Sequence, residues 1–211
     1  MDQKRNPDLD DALSVAGETM EELVSIVESM HDMSSFDYRK KIFDMVEIDV
    51  RHLLNVIYKE MKIFFSERNI DFKVTFNGPN VLVKGDVKRI KRSIRELIQN
   101  ALKYTPDEGS VTIEYSVNET NNKLYIKISD SGIGIPLEKQ NLIFEPFYEV
   151  QNAINHMTSK TEFMGGGIGL GLTLAKEVFE SHEGDLIVES QEKAGSTFIA
   201  VLPYTRVAES Q

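Results

Sequence analysis

The sequence predicts an α+β fold: a two-layer α/β sandwich, with helices packed on one face of a sheet, preceded by one long helix. Three patterns predict it. Residues 70–76, 111–117 and 124–128 alternate apolar and polar side chains, the period of half-buried strands. Residues 48–67 and 86–104 repeat apolar residues at helical spacing. Residues 8–34 carry a heptad seam of Leu9, Leu13, Ala16, Met20, Leu23, Val27 and Met30.

The elements follow in order. The heptad helix is read either as an amphipathic helix lying on its own domain or as one arm of a dimerising bundle. After a connection over 37–47, a helix over 48–67 gathers Val50, Leu53, Leu54, Ile57, Met61, Phe64 and Phe65 on one face. A strand follows with Ile70, Phe72, Val74 and Phe76 inward, then a turn at Asn77-Gly78-Pro79-Asn80 and a short strand from Val81 to Val83. Asp86 caps a helix that runs to Tyr104, and Pro106 helps to end it. Val111, Ile113, Tyr115 and Val117 mark one longer strand, and Leu124, Ile126 and Ile128 the next, joined by a turn at Asn121-Asn122. Leu170 to Ser181 is a helix, ended by Gly184 in a left-handed cap. Two strands close the chain, over 186–189 and 197–202.

Composition narrows the chemistry. The chain of 211 residues contains no cysteine, so neither disulfides nor thiolate metal sites are available. No apolar run approaches the ~18 residues of a membrane helix, and the polar residues 1–11 do not read as a signal peptide. These features predict a cytoplasmic location without direct membrane insertion. A net charge of -10 argues against nucleic acid as a partner and offers an anionic ligand no long-range attraction. A phosphate-bearing ligand would need local backbone amides, a few lysines and a metal ion.

Residues 96–172 supply those groups. Glu96, Asn100 and Lys103 are spaced four and three apart, so one helix face presents a carboxylate, an amide and an ammonium together. An amide carbonyl is a hard neutral ligand suited to Mg²⁺. Asp130-Ser131-Gly132-Ile133-Gly134 places a carboxylate at a strand end, where it can accept from an exocyclic amine, and its two glycines let backbone pass close to a flat ligand. Gly165-Gly166-Gly167-Ile168-Gly169-Leu170-Gly171 exposes backbone amides ahead of a helix N-terminus, where the dipole favours an anion. No Lys-Ser or Lys-Thr pair follows, so it is not a Walker loop.

With Phe144-Glu145-Pro146-Phe147, these segments stand in the order of the N box, first glycine box, F box and second glycine box. The chain resembles the catalytic domain of a sensor histidine kinase, whose ATP-binding fold (the Bergerat fold) is shared with gyrase, MutL and a heat-shock chaperone. The resemblance spans about residues 8–203. It implies ATP or ADP with Mg²⁺, Asn100 as the metal ligand, Lys103 on phosphate, Tyr104 lining the pocket and Asp130 reading adenine. It also assigns nucleotide contacts to Gly132, Gly134, Gly167, Gly169, Leu170, Gly171 and Thr197. Glu96 stands where related ATPases place a general base.

The resemblance further implies a domain layout. Residues 1–36 would be the second helix of a dimerisation hairpin, residues 37–47 a linker, and residues 48–205 the catalytic domain, with an ATP lid over 148–168. The implied partners are an acceptor-histidine helix, a response-regulator receiver domain and a second copy of the chain, paired through the first helix. The chain would be cytoplasmic, or the cytoplasmic part of a membrane sensor.

Two departures stand out. Glu149 occupies a position where many relatives carry arginine, which leaves Lys160 as a candidate substitute. His31-Asp32 lacks the following threonine-proline pair and lies too close to Asn100, so it is not the acceptor, and the acceptor helix is expected to be absent. His52, His156 and His182 have no acceptor context; His182, at a helix end, stands where the dipole favours a cation. The alternatives are a hydrolysing ATPase of the same fold, with Glu96 activating water, and a non-catalytic nucleotide-binding dimerisation module.

Overall fold

The computed structural model describes Gly17, Met20 and residues 43–148 and 169–206. The chain divides into two compact units, residues 1–38 and 39–211. In the first, Gly17 and Met20 are helical and exposed; the rest of the predicted heptad helix lies outside the described residues.

The second unit runs β1 (Met45–Asp49), α1 (Val50–Glu67), β2 (Asp71–Asn77), β3 (Val81–Asp86), α2 (Val87–Tyr104), β4 (Ser110–Asn118), β5 (Lys123–Asp130), α3 (Gly171–Ser181), β6 (Asp185–Gln191), β7 (Gly195–Pro203) and β8 (Thr205–Arg206). Single 3-10 turns at Leu137–Lys139 and Leu142–Phe144 lie between β5 and α3. Five strands form one sheet in the order β2-β4-β5-β7-β6, with β2 parallel to β4 and the other pairs antiparallel. A smaller sheet has the order β1-β3-β8.

The apolar alternation explains the layers. Val111, Ile113, Leu124, Ile126, Ile128, Phe198, Ala200 and Leu202 are buried in one cluster with the helix residues Leu54, Ile57, Ile94, Leu97, Ile98 and Phe179. Phe65 of α1 stacks on Phe72 of β2, with ring centroids 3.9 Å apart and planes 12° apart. The predicted two-layer arrangement of helices on a sheet is therefore observed.

Several local expectations hold for physical reasons. Asp86 Oδ1 accepts from the Arg89 N–H at 3.1 Å and caps α2. Thr105 is extended (φ -90°, ψ 128°), as a residue before proline must be, and α2 ends there. Asn122 takes the left-handed conformation in the β4–β5 turn.

Other details differ. Strand β1 takes the end of the predicted linker and the first two residues of the helix predicted over 48–67, which begins instead at Val50 with Asp49 as its cap. The strand is not legible in the sequence because its partner β3 is distant along the chain and Met45, Val46 and Glu47 are exposed without alternation. β3 continues to Asp86 rather than stopping at Val83. Glu183, not Gly184, takes the left-handed conformation after α3 (φ 58°). Gly184 is needed for a different reason: a Cβ there would lie 2.0 Å from the Val201 carbonyl oxygen.

Candidate nucleotide site

The candidate site residues come from the C-terminal half of α2, the turn after β5 and the start of α3. Glu96, Asn100 and Lys103 are all half-buried, so the face they share is neither core nor fully solvated. The Lys103 ammonium lies 4.9 Å from the Tyr104 ring centroid. The opposite face of α2 is anchored by Ile90, Ile94, Leu97 and Ala101, each at most 1% exposed.

The end of α2 is fixed by a residue that the sequence pattern did not mark. Arg68, just past α1, donates through Nη1 to the Leu102 carbonyl at 2.5 Å and through Nη2 to the Thr105 carbonyl at 2.7 Å. Its Nε donates to Asp107 at 2.8 Å. These bonds satisfy carbonyls that a helix C-terminus leaves open. Only the fold brings Arg68 there, across 34 residues.

Asp130 is the last residue of β5. Its Oδ1 accepts from Gly132 N–H at 2.8 Å and from Ser196 N–H at 3.2 Å. No described residue donates to Oδ2. Burial pushes the Asp130 carboxyl up to about 6, and the bonds from Gly132 and Ser196 oppose that rise only in part. A half-satisfied carboxylate in a desolvated position is poised to accept one more donor.

The glycines of this turn serve the chain's own packing. A Cβ on Gly132 would lie 2.3 Å from the Tyr104 carbonyl oxygen, and one on Gly134 (φ 68°) would lie 1.9 Å from that of Gln191. Ile133 N–H donates to the Tyr104 carbonyl at 3.2 Å, while Lys193 N–H donates to Ile133 at 2.6 Å. The turn is thus wedged between the end of α2 and the β6–β7 turn, which brings Asp130 and Tyr104 into one site.

Thr197 does not join them. In β7, Ser196 is the partner of Asp130, and the next residue points to the opposite sheet face. Thr197 Oγ1 is there hydrogen-bonded to Ser129 Oγ at 2.9 Å. The Ser196 backbone is the group that reaches Asp130. The strand alternation alone could have separated the two faces, had the β5–β7 register been known.

At the second glycine box, Gly167 lies outside the described residues. Gly169 is left-handed (φ 70°), and its carbonyl accepts from Phe147 N–H at 2.9 Å. Leu170 is buried and precedes α3 without a side-chain cap. A Cβ on Gly171 would meet Glu96 Oε2 at 2.5 Å, so the Glu96 carboxylate lies directly on the start of α3. The F box buttresses the same point. Thr173 Oγ1 donates to the Phe144 carbonyl at 2.8 Å, and the Lys176 ammonium lies 4.7 Å from the Phe144 ring centroid. Glu149 and Lys160 lie outside the described residues.

Among the described residues, no group of three or more His, Asp or Glu side chains could hold a metal. Asn100 and Glu96 are still hard oxygen donors on one face, which fits an ion that takes most of its ligands from phosphate and water.

A strand-end carboxylate, an asparagine-bearing helix face and a glycine-rich helix start, all on one helix-covered mixed sheet, define an ATPase-type nucleotide domain. The chain belongs to the family described as histidine kinase-, DNA gyrase B- and HSP90-like ATPases, whose model matches residues 85–206, and it carries the catalytic ATP-binding domain of a sensor histidine kinase. It is 32% identical over 197 residues to the sensor histidine kinase WalK of Bacillus subtilis (strain 168), a match covering 93% of this chain and 31% of that protein. The chain therefore spans about a third of that relative's length. The solved catalytic domain of the histidine kinase ThkA superposes with a TM-score of 0.63 at 26% identity, covering 76% of this chain and 95% of that one. ThkA in complex with the response regulator TrrA gives a TM-score of 0.70 over 97% of this chain and 53% of that one, a likeness of fold at 22% identity. Among the described residues, no helix is long and apolar enough to cross a membrane.

Proposed function

We propose that this chain binds Mg²⁺-ATP and transfers the γ-phosphoryl group to a histidine on an acceptor helix outside it. The observation that carries this reading is Asp130: a carboxylate raised by burial, bonded on one oxygen and open on the other, beside the N-box helix. Adenine's exocyclic amine is a matching donor. Tyr104 lines the same pocket, and Lys103 meets phosphate. The backbone amides at Gly169, Leu170 and Gly171 face the phosphates at the start of α3, and Gly132 and Gly134 set the adenine turn. The chain's part in catalysis is to position the nucleotide and stabilise charge on the transferred group.

Asn100 would hold Mg²⁺ through its side-chain carbonyl, with Glu96 nearby. The ion would neutralise charge on the phosphate oxygens. In the transfer, a bond forms from the acceptor imidazole nitrogen to phosphorus as the bond to the ADP oxygen breaks.

The surrounding assignments are part of the proposal. Residues 1–36 act as the second helix of a dimerisation hairpin, through which two copies pair, the linker from residue 37 leads in as far as β1, and the catalytic domain runs from β1 to residue 205 with a lid over 148–168. The phosphate passes onward to the receiver domain of a response regulator. The domain works in the cytoplasm.

Incubating the chain with γ-labelled ATP and a separately made acceptor-helix domain tests this. Label on the acceptor histidine is expected. Release of free phosphate alone would instead establish a hydrolysing ATPase, and neither product a nucleotide-binding module.

A further inference from the structure

We propose that His182 is a positioning residue for the nucleotide chemistry. It fixes the spacing between α2 and α3 and couples that spacing to the segment that enters the domain at Phe43. The inference rests on the nucleotide-site reading above and goes beyond it.

His182 follows α3 directly and is only 3% exposed. Its Nε2 accepts the Asp86 backbone N–H at 3.0 Å. Because that N–H can only donate, the ring is neutral and carries its proton on Nδ1, which donates to the Val178 carbonyl at 2.6 Å. The expectation of a cation favoured at this helix end is thereby corrected: the ring bridges two backbones as a neutral donor and acceptor. Gly85 makes room for it, since a Cβ there would lie 2.9 Å from His182 Cδ2.

Asp86 is the N-cap of α2. The imidazole therefore ties the last turn of α3 to the first turn of α2. Two further side chains close a circuit. The Asp86 carboxylate lies 3.5 Å from Arg89 Nε. The Arg89 guanidinium lies 4.7 Å from the Phe43 ring centroid. Phe43 in turn meets the His182 ring edge-on, with centroids 5.3 Å apart and planes 76° apart. Asp86 and Arg89 are the charged residues of this circuit.

The circuit lies at the end of both helices opposite the nucleotide motifs. Asn100 is about 21 Å along α2 from Asp86, and Gly171 about 16 Å along α3 from His182, at ~1.5 Å per residue. A helix transmits axial displacement along its length. A slip at His182 therefore becomes a slip of Asn100 against the glycine box, and a misplacement of about 1 Å lowers a positioned reaction by about 100-fold.

The test uses the full chain at a temperature where circular dichroism shows each variant folded. Amide exchange is read without nucleotide, and phosphotransfer to a separate acceptor-helix domain is read at saturating Mg²⁺-ATP. His182→Phe keeps a ring but loses both hydrogen bonds. It is expected to speed exchange at least tenfold at Asn100–Tyr104 and Leu174–Lys176, and to lower kcat at least tenfold. His182→Gln retains one donor and one acceptor and should fall within threefold of the native chain in both. Phe43→Ala leaves both buried bonds in place and should lower kcat at least threefold. Combined with His182→Phe, it should add little, because the two act through one contact.

A lower melting temperature with unchanged exchange at those two segments and unchanged kcat would overturn the proposal, as would uniformly faster exchange across α1, α2 and α3. Should His182→Phe not fold, Phe43→Ala decides: a native kcat overturns the coupling. The exchange measurement needs no ATP, so a chain that failed to bind nucleotide would refute the proposed function while leaving this result readable.

Discussion

Replacing Asp130 with asparagine should stabilise the empty domain at neutral pH and cripple the nucleotide site. Burial raises the carboxyl from 3.8 to about 6. The folded chain therefore holds the proton to higher pH than the unfolded chain does. Stability from this group is fully present below about pH 4 and is lost as pH rises through about 6. A rise of about two units, at ~1.4 kcal/mol each, sets an upper bound of about 3 kcal/mol on the loss. The substituted amide would not ionise, and its carbonyl can still accept from Gly132 and Ser196. The variant should be about 1–3 kcal/mol more stable at pH 8 and nearly equal to the native chain at pH 4. Its amide nitrogen would face adenine's amine donor to donor, so ATP affinity should fall at least about tenfold, or ~1.4 kcal/mol. Urea unfolding from pH 4 to pH 8, paired with calorimetric titration of an ATP analogue, measures both. A gain of the same size at pH 4 and pH 8, or a less stable variant at pH 8, would refute the desolvation argument.

Other consequences can be measured separately. GTP should bind at least about tenfold more weakly than ATP, because guanine presents a carbonyl to Asp130 Oδ2; competition calorimetry giving equal affinities would remove Asp130 from base recognition. Asn100→Ala should reduce affinity for ATP in Mg²⁺ by about tenfold or more and leave affinity in EDTA nearly unchanged; a loss of the same size with EDTA would mean that Asn100 contacts the nucleotide rather than the metal. Arg68→Met keeps the aliphatic stem but leaves the Leu102 and Thr105 carbonyls open, so urea unfolding should show a loss of about 2–3 kcal/mol, and a loss under about 0.5 kcal/mol would show that water replaces the guanidinium freely. Leu97→Ala, at a fully buried position facing the sheet, should destabilise by about 2–5 kcal/mol in the same assay.

The sequence determined what is local. Helical periodicity, an aspartate cap and a following proline delimited α2 at Asp86 and Tyr104, because each acts within a turn or two of chain. Strand alternation sorted β4 and β5 into buried and half-buried faces for the same reason. Motif order then marked Asn100, Lys103, Tyr104 and Asp130 as one site. Tertiary structure decided what depends on contacts between distant segments. β1 forms only because β3 supplies its hydrogen-bond partners. Ser196 rather than Thr197 reaches Asp130, since pairing register sets which residue of β7 faces the helices. Arg68 closes the end of α2 from 34 residues away, and His182 meets Asp86 from 96 residues away. Gly134 and Gly184 read as glycines of a ligand loop and a helix cap, yet each is required by a carbonyl that approaches from another strand or turn. Such contacts leave no periodic trace, because side-chain spacing along the chain carries no record of what the fold later brings against it.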